Sequence, residues 1–242
     1  MVQARMLLVE DDPLLRRFVR MALEELPLEV LECDSVAAAV QLLASNPVQL
    51  ILTDLMLPGA SGMDLLLHLQ TFPGLRGQAK VVVFSAGLTP AARLALAPLQ
   101  VWRLLEKPVS IRVLAQCVQD ALAPAAAFQR LPTTAVPAAV AQYFGGDTGL
   151  FQRYRSTCLA QFPHDIVAGD TAIEARDTQA LRRLAHSLKT VLLTIDVPNL
   201  AAQARALEQA CHAAQPDTVA SDWNRLRIAL AEFIINQDFA HA

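Results

Sequence analysis

No apolar stretch in this 242-residue chain reaches the roughly 18 residues that a membrane-spanning helix needs. Its start, MVQARMLLVE, lacks the apolar run and cleavage site of a secretory signal, so a cytoplasmic protein without a membrane partner is expected. Basic residues are nowhere gathered. Residues 1–124 carry 10 basic and 12 acidic groups and residues 125–242 carry 10 and 11, which speaks against nucleic-acid binding, whose affinity comes from clustered Lys and Arg. Cys33, Cys117, Cys158 and Cys211 lie far apart with no CxxC spacing, so reduced, mostly buried thiols are expected rather than a zinc site or a disulfide framework.

What the chain does have is apolar material, 54% of its residues, enough for a sizeable core and too much for disorder. Its length favours two domains. From Arg5 to Ala123, short apolar runs alternate with amphipathic stretches, the pattern of βα units feeding a parallel sheet. Strands are expected at Met6–Val9, Glu29–Glu32, Leu50–Thr53, Lys80–Phe84 and Arg103–Leu105. Helices are expected at Pro13–Leu26, Val36–Ala44, Gly62–Thr71, Pro90–Ala97 and Ile111–Leu122, with Asp12, Ser35, Ser61, Thr89 and Ser110 as their N-caps. Residues 124–136 hold prolines and no period and read as a linker. Beyond Pro137 only helical spacing remains, near Asp147–Ala168, Asp177–Ile195, Leu200–Ala213 and Thr218–Gln237, with interruptions at Gly169, Pro198 and Pro216. The domains expected are therefore 1–123, α/β with a doubly wound five-stranded parallel sheet, and 137–242, an all-α four-helix bundle.

In the first half the acids stand where such a sheet places its functional groups, at the carboxyl ends of the strands. Glu10, Asp11 and Asp12 follow the first strand, Asp54 ends the third, Ser85 the fourth and Lys107 the fifth. Clustered carboxylates repel one another, and a divalent cation offsets that repulsion; Mg²⁺ prefers a few carboxylates, waters and a phosphate oxygen. A cation, a lysine and a hydroxyl around one carboxylate would stabilise a phosphoryl group in transfer, with Asp54 as nucleophile.

LLVEDDP at 7–13, LILTDLMLPGASG at 50–62, VFSA at 83–86 and LEKP at 105–108 together resemble the response-regulator receiver domain, over residues 5–123. The resemblance implies a flavodoxin-like fold, with Glu10 and Asp11 as the acidic pair of the metal site. It implies Asp11 and Asp54 as Mg²⁺ ligands beside the backbone carbonyl of Met56, Asp54 as phosphoacceptor, Ser85 as switch hydroxyl and Lys107 as phosphoryl contact. It also implies a cis peptide before Pro108. One position departs: three residues before the lysine the family commonly has Tyr or Phe, and this chain has Leu104, with Trp102 two residues earlier.

The second half has no carboxylate cluster, glycine-rich phosphate loop, nucleophile elbow or ATP-binding motif. Its distinctive residue is a histidine. At about 100° per residue, Leu181, Leu184, Leu188, Leu192 and Ile195 form one stripe and His186 falls opposite, so His186 is expected to face solvent between Arg182 and Lys189, with Leu193 on the same outer face. The stretch 181–208, LRRLAHSLKTVLLTIDVPNLAAQARALE, and YFGGDTGLFQRYRS at 143–156 resemble the histidine-containing phosphotransfer (HPt) domain, over roughly residues 137–238. That resemblance implies His186 as phosphoacceptor and Lys189 as its basic neighbour, with Leu200, Leu207 and Glu208 in the following helix. The family's usual small residue four positions after the histidine is Thr190 here, and a later glycine is replaced near Asp196. His164 and His212 are expected at the surface and His68 on a helix of the first domain.

The expected function is a two-component phosphorelay protein, a phosphotransfer component and not a kinase. It would accept a phosphoryl group on Asp54 from a partner's phosphohistidine and exchange phosphoryl groups at His186 with its own or another receiver, the partners being a sensor histidine kinase and/or other receiver or HPt proteins. The alternative is a phosphorylation-controlled regulator whose helical domain is a non-catalytic interaction module. A DNA-binding factor is disfavoured by the missing basic helix.

Overall fold

The computed structural model describes residues 4–86, 88–123, 138–213 and 216–238; the segment 124–136, read as a linker, lies outside them. The described residues form two compact units, 4–123 with 141–146, and 138–140 with 147–238.

The first unit is a five-stranded parallel sheet in the order β2-β1-β3-β4-β5, with β1 Ala4–Val9, β2 Leu28–Cys33, β3 Leu50–Thr53, β4 Lys80–Ser85 and β5 Arg103–Glu106. Helices α1 Pro13–Leu23, α2 Val36–Ser45, α3 Gly62–Thr71, α5 Pro90–Leu96 and α6 Ile111–Leu122 connect the strands, and a one-turn α4, Pro73–Arg76, is an addition to the expected set. β3 is buried throughout and β1 and β4 nearly so, because central strands are covered on both faces. Leu7, Ile51 and Val81 stand side by side across them and pack with Ala39 and Leu65 of α2 and α3. On the other face α1 packs against α6.

The expected caps are at their positions. Asp12 accepts from Leu14 N and Leu15 N, Thr89 from Ala92 N and Ser110 from Val113 N, while Ser61 and Asp64 form a capping box. Ser35 makes no side-chain cap bond. These bonds satisfy amides that a helix leaves unpaired in its first turn, which fixes where each helix leaves the sheet edge.

The second unit is a bundle of α8 Thr148–Glu174, α9 Thr178–Thr194, α10 Pro198–His212 and α11 Pro216–Asp238, in which α8 meets α9, α9 meets α10, α10 meets α11 and α11 closes on α8. A short α7, Ala138–Phe144, precedes it. Tyr154, Phe162, Leu192, Leu207, Leu226 and Leu230 are fully buried in its core. Pro198 and Pro216 begin helices, as their fixed φ favours. Gly169, expected as a break, instead lies inside α8. A Cβ there would sit 2.1 Å from the ring of Trp223, so the glycine makes room for an indole that donates to Asp170 at 2.9 Å. Among the described residues no helix is long and apolar enough to cross a membrane.

Candidate functional site

Parallel register brings the ends of β1, β3, β4 and β5 to one edge. Val9 pairs with Thr53, Thr53 with Val83 and Ser85 with Glu106, so the residues that follow share a site. Asp54 is anchored first by backbone: its amide donates to Val9 O at 3.0 Å, and its Oδ1 accepts from Leu55 N at 2.5 Å and Met56 N at 3.2 Å. Gly62, the first residue of α3, lies against it. A Cβ at that position would come within 1.9 Å of the Asp54 carbonyl oxygen, so only glycine lets α3 start here.

Lys107 reaches in from the far side of the sheet. Its Nζ donates to Asp54 Oδ2 at 2.7 Å and to Glu10 Oε2 at 2.5 Å, with all three side chains buried. Ser85 is fully buried at the end of β4, and its carbonyl accepts from Lys107 N at 3.1 Å. The Lys107–Pro108 peptide is cis, as the resemblance implied.

Charges at this site shift one another. Burial works to lower the Lys107 ammonium, but Asp54 and Glu10 more than offset it and hold the lysine above its ordinary range, hence protonated. Burial pushes the Glu10 carboxyl up to about 8 against the pull of Lys107, with Asp54 and Asp12 adding to the rise. Asp11, more exposed, is also raised by burial and then by the neighbouring Asp54. Asp11 and Asp54 are therefore close enough to repel. Two hard oxygen donors under mutual repulsion, near the backbone of Met56, fit a small divalent cation such as Mg²⁺. Glu10 is turned to Lys107 and to Asp12 N, so its carboxylate is engaged elsewhere. No group of three or more His, Cys, Asp or Glu side chains among the described residues has a metal-binding arrangement.

His186 is not where the stripe put it. Its side chain is 4% exposed, whereas Leu184 is half-buried. α9 packs against both α8 and α10. From α10, Glu208 Oε1 lies 2.6 Å from His186 Nδ1, while Oε2 accepts from Lys189 Nζ at 2.6 Å. Burial would raise the Glu208 carboxyl, but hydrogen bonds from His186 and Lys189 outweigh it and hold it at about 2. With Nδ1 facing a carboxylate, the neutral imidazole carries its proton on Nδ1 and a lone pair on Nε2. Nε2 is buried and makes no hydrogen bond, and neither does Arg182 Nε. Thr190 is buried as well, its hydroxyl donating to His186 O at 3.3 Å. Leu193 is half-buried, and Lys189 answers Glu208, not the imidazole ring. His68 lies against Phe72 at the end of α3, the two rings tilted with centroids 4.7 Å apart.

Trp102, which the sequence left without a role, is flanked by cations, with Arg103 at 4.4 Å and Lys80 at 5.0 Å from its ring. Leu104 packs against the core.

The response regulator receiver domain matches residues 6–119, and the Hpt domain matches residues 153–234. Among curated proteins, the response regulator protein PilR of Pseudomonas aeruginosa is 36% identical over 70 residues, 29% of this chain and 16% of PilR. The response regulator receiver protein CpdR of Brucella abortus is 41% identical over 61 residues, 25% of this chain and 51% of CpdR. The matches thus span about half of one relative and less of the other. Similar solved structures include the signal receiver domain of an HD domain-containing protein from Pseudomonas fluorescens, at 23% identity and TM-score 0.46, covering 50% of this chain and 95% of that one. A CheY-like receiver domain protein from Methanospirillum hungatei has 21% identity and TM-score 0.45, with coverages of 49% and 93%.

Proposed function

Because the chain carries a receiver domain and an Hpt domain and so belongs to the two-component phosphorelay proteins, we propose that Asp54 takes a phosphoryl group from a partner's phosphohistidine and that His186 exchanges phosphoryl groups with a receiver. The observation that carries this is the placement of Asp54, buried 2.7 Å from the Lys107 ammonium and beside Asp11.

In the forward step a carboxylate oxygen of Asp54 attacks phosphorus, the phosphorus–nitrogen bond of the donor breaks, and its electron pair stays with the donor imidazole. Lys107 stabilises charge on the transferring oxygens from a fixed position. The Ser85 hydroxyl donates to a phosphoryl oxygen. Asp11, Asp54 and the Met56 carbonyl would hold Mg²⁺, and the ion would supply positive charge to offset that of the phosphoryl oxygens. The same groups let water hydrolyse the acyl phosphate, so the receiver promotes its own phosphorylation and dephosphorylation while the chain supplies no phosphate of its own.

At His186 the Nε2 lone pair attacks the phosphorus of an aspartyl phosphate, and the phosphorus–oxygen bond breaks. The ring becomes a phosphoimidazolium whose Nδ1 proton faces Glu208, so the carboxylate steadies the positive charge that transfer creates. Lys189 in turn holds Glu208. Partners follow from the chemistry: sensor histidine kinases and other receiver or HPt proteins. Buried Cys117, Cys158 and Cys211, with Cys33 half-buried, suit the thiols of a reducing cytoplasm.

A second reading draws on the burial of Nε2. If the imidazole never opens to a partner, the bundle is a non-transferring interaction module governed by Asp54. Labelling of the full chain from a phosphorylated kinase for Asp54, and from a separate phosphorylated receiver for His186, separates the two. Wild type should carry base-labile label on Asp54 and acid-labile, base-stable label on His186; D54N should lose the first and H186Q the second. Label that never appears on His186 from any phosphorylated receiver supports the module reading.

A further inference from the structure

The loop that carries Glu10, Asp11 and Asp12 is clamped by a residue that the chemistry above does not use. Arg16 lies in the first turn of α1, and its side chain runs back towards the helix N-terminus, as long helical side chains do. One guanidinium nitrogen, Nη1, donates both to Glu10 O at 2.5 Å and to Asp11 O at 3.1 Å. The guanidinium is steadied from behind: Arg16 Nε stands 3.8 Å from Glu32 Oε2 on β2, and Glu32 Oε1 stands 3.3 Å from Arg20 Nε. Elsewhere the loop is tied by ordinary backbone and capping bonds, with Glu10 N donating to Cys33 O at 3.0 Å and the Asp12 carboxylate capping α1. Arg16 therefore holds both peptide groups flanking the Asp11 Cα, since Glu10 O belongs to the peptide before it and Asp11 O to the peptide after it, whereas the Glu10 carboxylate reaches only the second, accepting from Asp12 N at 3.4 Å.

We propose that Arg16 is a positioning residue of the cation site. By holding both peptides it sets the direction in which the Asp11 carboxylate meets Asp54, and its charge offsets the crowding of two carbonyl dipoles and three carboxylates in consecutive residues. Groups that orient metal ligands in this way typically govern metal affinity by 10–100-fold without touching the ion. The inference rests on the reading of Asp11 and Asp54 as cation ligands.

Calorimetric titration of the full chain with Mg²⁺ tests it, using wild type, D11A, R16M, R16K and E32Q, each paired with its thermal midpoint. R16M should raise the Mg²⁺ Kd roughly tenfold. R16K should recover part of the loss, because an ammonium can donate to the same two carbonyls but lacks the second nitrogen that faces Glu32. E32Q, which keeps Arg16 and removes its support, should shift the Kd in the same direction by less. A merely structural arginine would lower the thermal midpoint and leave the Kd alone. If wild type binds no Mg²⁺, the cation-site reading itself fails. If wild type binds, D11A does not, and R16M stays within twofold of wild type, the Arg16 inference alone is overturned. Should R16M not fold, R16K and E32Q decide the matter: Kd values equal to wild type in both overturn it, and raised values support it.

Discussion

Glu208 accepts from His186 and from Lys189 at the same distance, 2.6 Å, one carboxylate oxygen to each. The side chains come from two helices, so the contact exists only when α9 and α10 are packed. It fixes the ring tautomer, supplies a counter-charge for a phosphorylated imidazole and ties the adjacent lysine into the same group.

The contact has a pH signature. Glu208 is held at about 2, below its ordinary 4.5, so the folded state binds the proton more weakly than the unfolded one. Its contribution to stability is complete above about 4.5 and is lost as pH falls towards about 2. Thermal midpoints of wild type and E208Q should differ most near neutrality and converge between those two values. A gap that stays constant down to pH 3 would show that the ionised carboxylate contributes nothing.

Lys107 neutralises a buried pair. Replacing it with methionine keeps the volume but leaves Asp54 and Glu10 without a cation, which should cost about 3–5 kcal/mol, towards the low end because Glu10 takes up a proton readily. Adding D54N to K107M should recover part of the loss. Urea unfolding of the four members of that cycle measures it; additive costs would mean that the two side chains do not interact.

Gly62→Ala forces α3 away from the Asp54 carbonyl, since the added carbon would meet it at 1.9 Å. Overpacking of this kind costs about 1–3 kcal/mol, and here it also displaces Asp54. Both the urea midpoint and the rate of labelling by a small phosphodonor should fall. A variant with wild-type labelling would remove Gly62 from any role in placing Asp54.

In α8, Gly169→Ala sets two effects against each other. Alanine gains about 1 kcal/mol of helix propensity, while a carbon 2.1 Å from the Trp223 ring costs about 1–3 kcal/mol. Net destabilisation is expected, with altered tryptophan fluorescence as the indole leaves Asp170. A more stable variant with unchanged emission would show that the bundle absorbs the carbon freely.

Thr190 stands one turn beyond His186 and spends its hydroxyl on the His186 carbonyl. Thr190→Gly removes a branched side chain beside the imidazole at a cost of roughly 1 kcal/mol in helix stability. Transfer to His186 from a phosphorylated receiver should speed up, and stopped-time labelling reads the rate. Equal rates would mean that crowding by Thr190 does not limit the step.

Sequence by itself determined the parts governed by short-range chemistry. Strands and helices of the first unit follow from apolar period and from Asp12, Ser61, Thr89 and Ser110 as caps, because a cap acts within three residues of itself. The edge where Asp11, Asp54, Ser85 and Lys107 gather follows from parallel strands, whose carboxyl ends must lie together. Tertiary structure alone decided what crosses the chain. Lys107 meets Glu10 over 97 residues, and Arg16 turns back to grip the carbonyls of Glu10 and Asp11, neither of which any periodicity encodes. The stripe of Leu181, Leu188 and Leu192 located one buried face of α9, yet His186 is buried too, because a helical period reports one helix's own faces and cannot register that α10 covers a second one. Gly169 read as a break for the same reason: its missing side chain is filled by Trp223, 54 residues away by the numbering, and only the packed bundle brings the two together.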